Sequence, residues 1–273
     1  QMILVNGLPE DKINVLDRGL QYGDGLFETI AFRNGKPEFL HSHLSRLYRG
    51  CEQLKIATQQ LDALLDAEIK QVCDQLTDNA VIKILITRGQ GGRGYRTQSD
   101  SAPTRIISTH DMPNYPKENS HGIKVRFCQQ TLSENCILAG IKHLNRLEQV
   151  LARSEWNGDD IAEGLMFDTQ RHLIEGTMSN VFIVKDGALF TPQLNLSGVT
   201  GIMRQQIINV AQDENTEVIE AVLTQKDILT ADEVFITNSL IDIWPIIEIE
   251  DFETYEHGIT TKRLQDHISN VIR

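Results

Sequence analysis

Cysteine is scarce in this chain: Cys51, Cys73, Cys128 and Cys136 are the only four among 273 residues, and no two stand at a Cys-x-x-Cys spacing. Neither a zinc ribbon nor a disulfide framework is indicated, which leaves reduced structural thiols. Long apolar runs are missing as well. The opening QMILVNGLPEDK turns polar after four apolar residues, Met2 to Val5, and no later run is long enough to span a bilayer. A cytoplasmic protein is expected. Basic charge is also short: 26 Lys and Arg face 38 Asp and Glu, a formal net charge of -12, with no basic block to offset it. That balance argues against nucleic acid or an anionic membrane as a partner. An anionic substrate must then be gripped by local arginines against the field of the whole chain. Linker composition is confined to one stretch, DMPNYPKENSHG, and no internal repeat or low-complexity segment is present.

What the chain does have is 40% hydrophobic content, enough for the cores of two moderate domains. The linker composition places an N-terminal domain at 1–112, a linker at 113–121 and a C-terminal domain at 122–273. The first part reads as a strand in ILVNG and a strand pair in GLFETIAFRNGKPEFL that turns at Asn34-Gly35. An amphipathic helix follows from about His43 to Ile56, with Leu44, Leu47, Tyr48 and Cys51 on its buried side. A second helix carries Leu61, Leu64, Leu65, Ile69, Val72 and Leu76, and strands follow in AVIKILITRG and TRIISTH. The second part begins with a strand and then AGIKHLNRLEQVLARSEWN, where Leu144, Leu147, Val150 and Leu151 recur at helical spacing as one apolar stripe. A meander turning at Asp186-Gly187, a helix from about Gly201, a strand at DEVFITNS and a C-terminal helix complete it. Helices and strands mixed without a regular βαβ rhythm predict α+β layers.

Several stretches carry groups suited to chemistry. Lys142 lies just before the apolar stripe, flanked by Ala139, Gly140 and Ile141; desolvation there lowers a lysine's pKa and frees its amine as a nucleophile, although most lone lysines are only solvated charges. GQGGRGYR lacks the Lys-Ser or Lys-Thr of a phosphate loop and is not followed by a helix pattern. It is either a surface loop or, through Arg88, Arg93 and Arg96, a lid over an acidic substrate. In the lid reading Arg93 pairs a carboxylate bidentately and Tyr95 closes over a ring. His41 and His43 read as a helix start rather than a metal pair. Arg46 lies near the edge of the same helix, either solvated or pointing into a cleft. Glu175, in LIEGTMSNVFIV, caps a turn or partners a buried cationic nitrogen. GVTGIMRQQ delivers Thr200 and Gly201 to a helix start whose first N–H groups suit an anion. Asn238 and Ser239 end the strand of FITNS with amide and hydroxyl donors.

Taken together, LDRGLQYGDGLFETI, Arg46 in HLSRL, Lys142 in GIKHLNRLEQ, Glu175 in EGTMSN, TGIMR and TNS resemble, in their order, the motifs of fold-type IV pyridoxal phosphate enzymes. That is the family of branched-chain and D-amino-acid aminotransferases. RGQGGRGY and LAGIKHLNRLEQVLAR are most similar to its aminodeoxychorismate lyase branch, and the resemblance covers nearly the whole chain. It implies an N-terminal α/β sandwich and a C-terminal pseudo-barrel, with pyridoxal 5'-phosphate in the cleft between them, and a homodimer. It also implies that Lys142 carries the cofactor and that Glu175 faces its ring nitrogen. The backbone of Ile202 and Met203, with Arg46, Ser239 and Asn238, takes the phosphate, and Arg93, Tyr95 and then Arg18 are the substrate candidates. The implied reaction converts 4-amino-4-deoxychorismate into 4-aminobenzoate and pyruvate, in folate biosynthesis, with no metal. Met203 stands where relatives often have threonine. Glu28 in FETI is shared with aminotransferases, so a D- or branched-chain amino-acid aminotransferase is the alternative.

Overall fold

The computed structural model describes residues 1–98 and 101–272; Ser99 and Asp100, in the stretch after the glycine-rich loop, lie outside the described residues. The chain divides into two compact units, Gln1–Pro113 with Ile141–Asn145, and Asn114–Gly140 with Arg146–Arg273. A split by composition alone follows the chain once through; here the five residues around Lys142 belong with the first unit.

The first unit is a sheet with helices on it. Its strands are β1 (Ile3–Val5), β2 (Leu8–Pro9), β3 (Gly25–Arg33), β4 (Lys36–Pro37), β5 (Ala80–Thr87) and β6 (Thr104–Asp111), and its helices are α1 (Arg18–Tyr22), α2 (Leu40–Leu54) and α3 (Leu61–Cys73). The strand order is β2-β1-β6-β5-β3-β4, with every pairing antiparallel. Residues directly opposite share a face, so Leu26 with Ile86, Glu28 with Ile84 and Ile107, and Ile30 with Ile82 point the same way. That face is covered by α2, whose Leu44, Leu47 and Cys51 are buried, and by α3, whose Glu68 pairs with Arg105 of β6 at 2.7 Å. Asn34 (φ 54°) and Gly35 (φ 76°) make the tight β3–β4 turn, both in the left-handed region that this residue pair tolerates best.

The second unit contains β7 (Ile123–Phe127), α4 (Leu147–Arg153), β8 (Glu163–Phe167), β9 (His172–Gly176), β10 (Asn180–Lys185), β11 (Ala188–Pro192), α5 (Ile202–Asp213), β12 (Val218–Ala221), β13 (Leu223–Thr224), α6 (Gln225–Leu229), β14 (Glu233–Asn238), β15 (Asp242–Ile249), β16 (Glu253–Thr254) and α7 (Ile259–Ile272). The sheet runs β12-β11-β10-β14-β15-β7-β8-β9-β13, with β16 on β15. Only Val222 separates β12 at one end of this path from β13 at the other, so the sheet's two edges meet and close it into the expected pseudo-barrel. Its interior is a single apolar cluster that includes Val125, Leu165, Phe167, Val181, Ile183, Ile236 and Trp244. Asp186 (φ 51°) and Gly187 (φ 81°) form the β10–β11 turn.

The apolar stripe read at helical spacing runs into α4, which begins at Leu147 and leaves Leu144 outside the helix. The helix exists, but Leu147 is 74% exposed, Val150 59% and Leu151 53%, and of the helix's residues only Ala152 is buried. Period identifies a helix without identifying what its apolar side faces. No helix among the described residues is long and apolar enough to cross a membrane.

Candidate active site

In the first unit, Lys142 is fixed by its backbone. The Phe27 N–H donates to the Lys142 carbonyl at 2.9 Å, the Leu144 N–H donates to the Gly25 carbonyl at 3.0 Å, and Leu26 and His143 form an isolated bridge. The Ile141–Asn145 segment is thus hooked onto the start of β3. The Lys142 side chain is half-buried, with Nζ 4.4 Å from the centre of the Phe27 ring, where an aromatic face favours a cationic nitrogen.

Strand alternation sends Glu28 to the other face, against α2. There it meets His43 and Arg46, which stand three apart and so share one side of the helix. Arg46 is 5% exposed, which settles the choice left open by the sequence: it is not solvated. His43 is buried on Glu28 and His41 is exposed, so the two do not act as a pair.

The glycine-rich loop separates its arginines. Arg88 is a structural residue, not part of a lid. Its Nε and Nη2 bond Asp24 at 2.8 and 3.0 Å, and Nη1 and Nη2 also bond the carbonyls of Lys55 and Leu54 that end α2. Arg18 is likewise buried. Nε bonds Asp24 at 2.9 Å, Nη1 the Gly94 carbonyl at 3.0 Å and Nη2 the Tyr95 carbonyl at 3.4 Å, so it holds the loop by its backbone. Burial works against ionisation of Asp24, but the hydrogen bonds and charges of Arg88 and Arg18 outweigh it and hold that carboxyl below its ordinary value. Arg93, Tyr95 and Arg96 are exposed.

In the second unit, Glu175 lies on β9, 5% exposed; Oε2 accepts the Val199 N–H at 2.8 Å and Oε1 the Gln149 amide at 3.4 Å. Arg146 is nearby: burial lowers its pKa, while the charges of Glu175 and Glu148 act in the opposite direction. Gly201 precedes α5 without a side-chain cap, so no side chain of its own covers the first N–H groups of the helix; Ile202 and Met203 are themselves buried. A side chain at Gly201 has no room, since its Cβ would stand 1.9 Å from Asn180 Oδ1, and the Asn180 amide holds the Val199 carbonyl. Asn238 serves the turn after β14. Its Oδ1 accepts from Leu240 and Ile241 N–H, and its amide donates to the Met178 carbonyl.

The family model for class IV amino-transferases matches residues 25–249. The chain belongs to that family. It is 38% identical over 272 residues to the aminodeoxychorismate lyase of Vibrio harveyi, covering 98% of this chain and 100% of that one. The crystal structure of 4-amino-4-deoxychorismate lyase from Pseudomonas aeruginosa superposes with a TM-score of 0.95 at 41% identity, covering 98% of each chain. The branched-chain amino acid aminotransferase of Escherichia coli is similar at a TM-score of 0.89 and 27% identity, covering 99% of this chain and 94% of that one.

The family's enzymes depend on pyridoxal phosphate. The residues fit that group by their chemistry: an amine beside an aromatic face, a buried carboxylate whose second oxygen is braced by Val199, an uncapped helix start and a buried arginine. Phe27, Gln149, Asn180 and the pairing of Glu28 with His43 went unread in the sequence. Only the His43–Arg46 spacing was a legible signal, since two polar residues three apart on a helix share a face.

Proposed function

We infer that this protein is an aminodeoxychorismate lyase. The observation that carries the reading is similarity to two such lyases over essentially the full length of the chain, at higher identity than to the branched-chain aminotransferase. Lys142 would carry the cofactor, Glu175 would face its ring nitrogen, and the N–H groups of Ile202 and Met203, with Arg46 and Ser239, would take its phosphate. When bound, pyridoxal phosphate supplies an electron sink that acidifies the C–H at the amine-bearing carbon. Once the substrate amine has displaced it, Lys142 Nζ is free to take that proton as general base, and the C–O bond to the enolpyruvyl group breaks as the ring becomes aromatic. Nζ then returns a proton to the enol carbon, which leaves as pyruvate. Glu175, held by Val199 and Gln149, would face the ring nitrogen. Arg93 and Tyr95, on a loop pinned by Arg18, meet the substrate carboxylates.

The enzyme acts as a homodimer, a reading supported by the open apolar side of α4. It works in the cytoplasm, the compartment that keeps thiols such as those of Cys51 and Cys128 reduced.

Two assays on the purified protein test the activity: 4-aminobenzoate release from aminodeoxychorismate, and transamination of D-alanine or a branched-chain amino acid with 2-oxoglutarate. The first is expected to dominate, and Lys142→Ala to lower it by at least about 100-fold. Borohydride should fix the cofactor to the peptide containing Lys142. Turnover in the transamination assay alone would replace the lyase by an aminotransferase.

A further inference from the structure

Glu28 is a buried carboxylate that the reaction does not use. It is 1% exposed and both its oxygens are engaged: Oε1 accepts from Arg46 Nε at 2.8 Å, and Oε2 accepts from Arg46 Nη2 at 2.5 Å and from His43 Nδ1 at 2.7 Å. Burial opposes its ionisation. The charge of Arg46 and the hydrogen bonds of Arg46 and His43 outweigh burial and draw the carboxyl down to about 2, so it is ionised at neutral pH. Burial, joined by the charges of Arg46 and Lys142, lowers the pKa of His43 against the pull of Glu28, so the imidazole is neutral at neutral pH. A neutral imidazole facing a carboxylate through Nδ1 carries its proton there. The result is a chain of fixed partners: His43 holds Glu28, and Glu28 holds the Nε–Nη2 edge of the Arg46 fork.

We propose that Glu28 and His43 are positioning residues for Arg46: with one edge of its guanidinium clamped, the Nη1 side meets the cofactor phosphate already oriented. The proposal rests on the assignment of Arg46 to that phosphate. Two effects of Glu28 compete. Its charge partly cancels that of Arg46 and weakens attraction for an anion, whereas its clamp removes the cost of ordering a long side chain when the anion binds. The clamp wins here because Arg46 is buried: without Glu28 the Nε–Nη2 edge loses the carboxylate that fixes it, and the guanidinium is no longer held in one orientation.

The test compares two ligands for the full-length protein stripped of cofactor, pyridoxal phosphate and pyridoxal, which lacks the phosphate. Glu28→Gln should raise the dissociation constant for pyridoxal phosphate about 10-fold, and His43→Leu about 3-fold, while that for pyridoxal stays within about 2-fold. His43→Asn, whose amide N–H sits near the place of Nδ1, should restore most of the loss. Should Glu28→Gln fail to fold, the His43 pair carries the test alone, since it leaves Glu28 and Arg46 in place. Equal weakening for both ligands would make Glu28 and His43 packing residues and overturn the proposal. So would tighter binding of pyridoxal phosphate by Glu28→Gln, which would mean that charge cancellation dominates. An Arg46→Gln variant with unchanged preference for the phosphorylated ligand would remove the assignment beneath the proposal, while the lyase reading would still be decided by the product assay.

Discussion

Arg88 and Arg93 are near neighbours in the chain and have different work. Arg88 makes a bidentate pair with Asp24 and closes two carbonyls at the end of α2, and its side chain is 11% exposed. Removing it leaves a buried carboxylate with one cation in place of two and two carbonyls without their donor. Breaking a buried pair in this way costs about 3 to 5 kcal/mol. Arg93 has its side chain in solvent, so its loss leaves the folded chain intact. Arg88→Met should therefore lower the urea midpoint, whereas Arg93→Lys should leave it unchanged and raise KM for aminodeoxychorismate. The change in KM corresponds to roughly 1.5 to 3 kcal/mol, the worth of a hydrogen bond to a charged group. A wild-type KM for Arg93→Lys, measured by steady-state kinetics, would leave the loop no part in holding substrate.

Local chemistry made much of the element list legible. Asn34-Gly35 and Asp186-Gly187 are turn pairs whose positive φ the residues themselves favour, and the apolar spacing of α2 identified Leu44, Leu47 and Cys51 as core. What depended on distant partners was hidden. Arg46 is buried because Glu28 arrives from β3, and the segment around Lys142 joins the first unit through backbone bonds that leave no trace in side-chain pattern. Glu175, read as a turn cap or as the partner of a cationic nitrogen, accepts the N–H of Val199, a contact between distant positions that no local pattern announces. α4 is the instructive case, since its period was readable and the fate of its apolar side was not. Leu147, Val150 and Leu151 together expose an apolar strip that a second copy would cover in the proposed homodimer. Val150→Asp puts a charge in the middle of that strip at no cost to the isolated chain, where the position is open. Light scattering should find a dimer for the wild type and a monomer for Val150→Asp. A monomeric wild type would leave the strip without its proposed occupant.

The two units, though built differently, share one pattern of titration, and it sets a pH window for the whole molecule. Each has a histidine held low and a thiol held high. Burial lowers His43 in the first unit and His257 in the second, in both cases against a partner that acts the other way. Burial pushes the Cys51 thiol up to about 12 and, aided by the charges of Glu155 and Glu163, the Cys128 thiol as well. On the acid side the unfolded chain binds protons at these histidines from about pH 6.5 downward while the folded chain does not, so stability falls as pH drops. Glu28 and Asp24 add to the loss lower down, because their depressed carboxyls stabilise the fold only above the unfolded values and lose that contribution as pH falls through the folded ones. On the alkaline side the sign reverses. A raised thiol contributes fully below its unfolded value, near 9.0, and the contribution is lost as pH climbs toward about 12. By about pH 11 the loss is on the order of 3 kcal/mol per buried thiol. Melting temperature should therefore be flat between about pH 6.5 and pH 9 and fall on both sides. Cys51→Ala should soften the alkaline fall, and Cys136→Ser, at an exposed thiol, should not. Calorimetry across the range decides it: an alkaline limb that Cys51→Ala leaves unchanged would mean that this thiol ionises in the folded chain as readily as in the unfolded one.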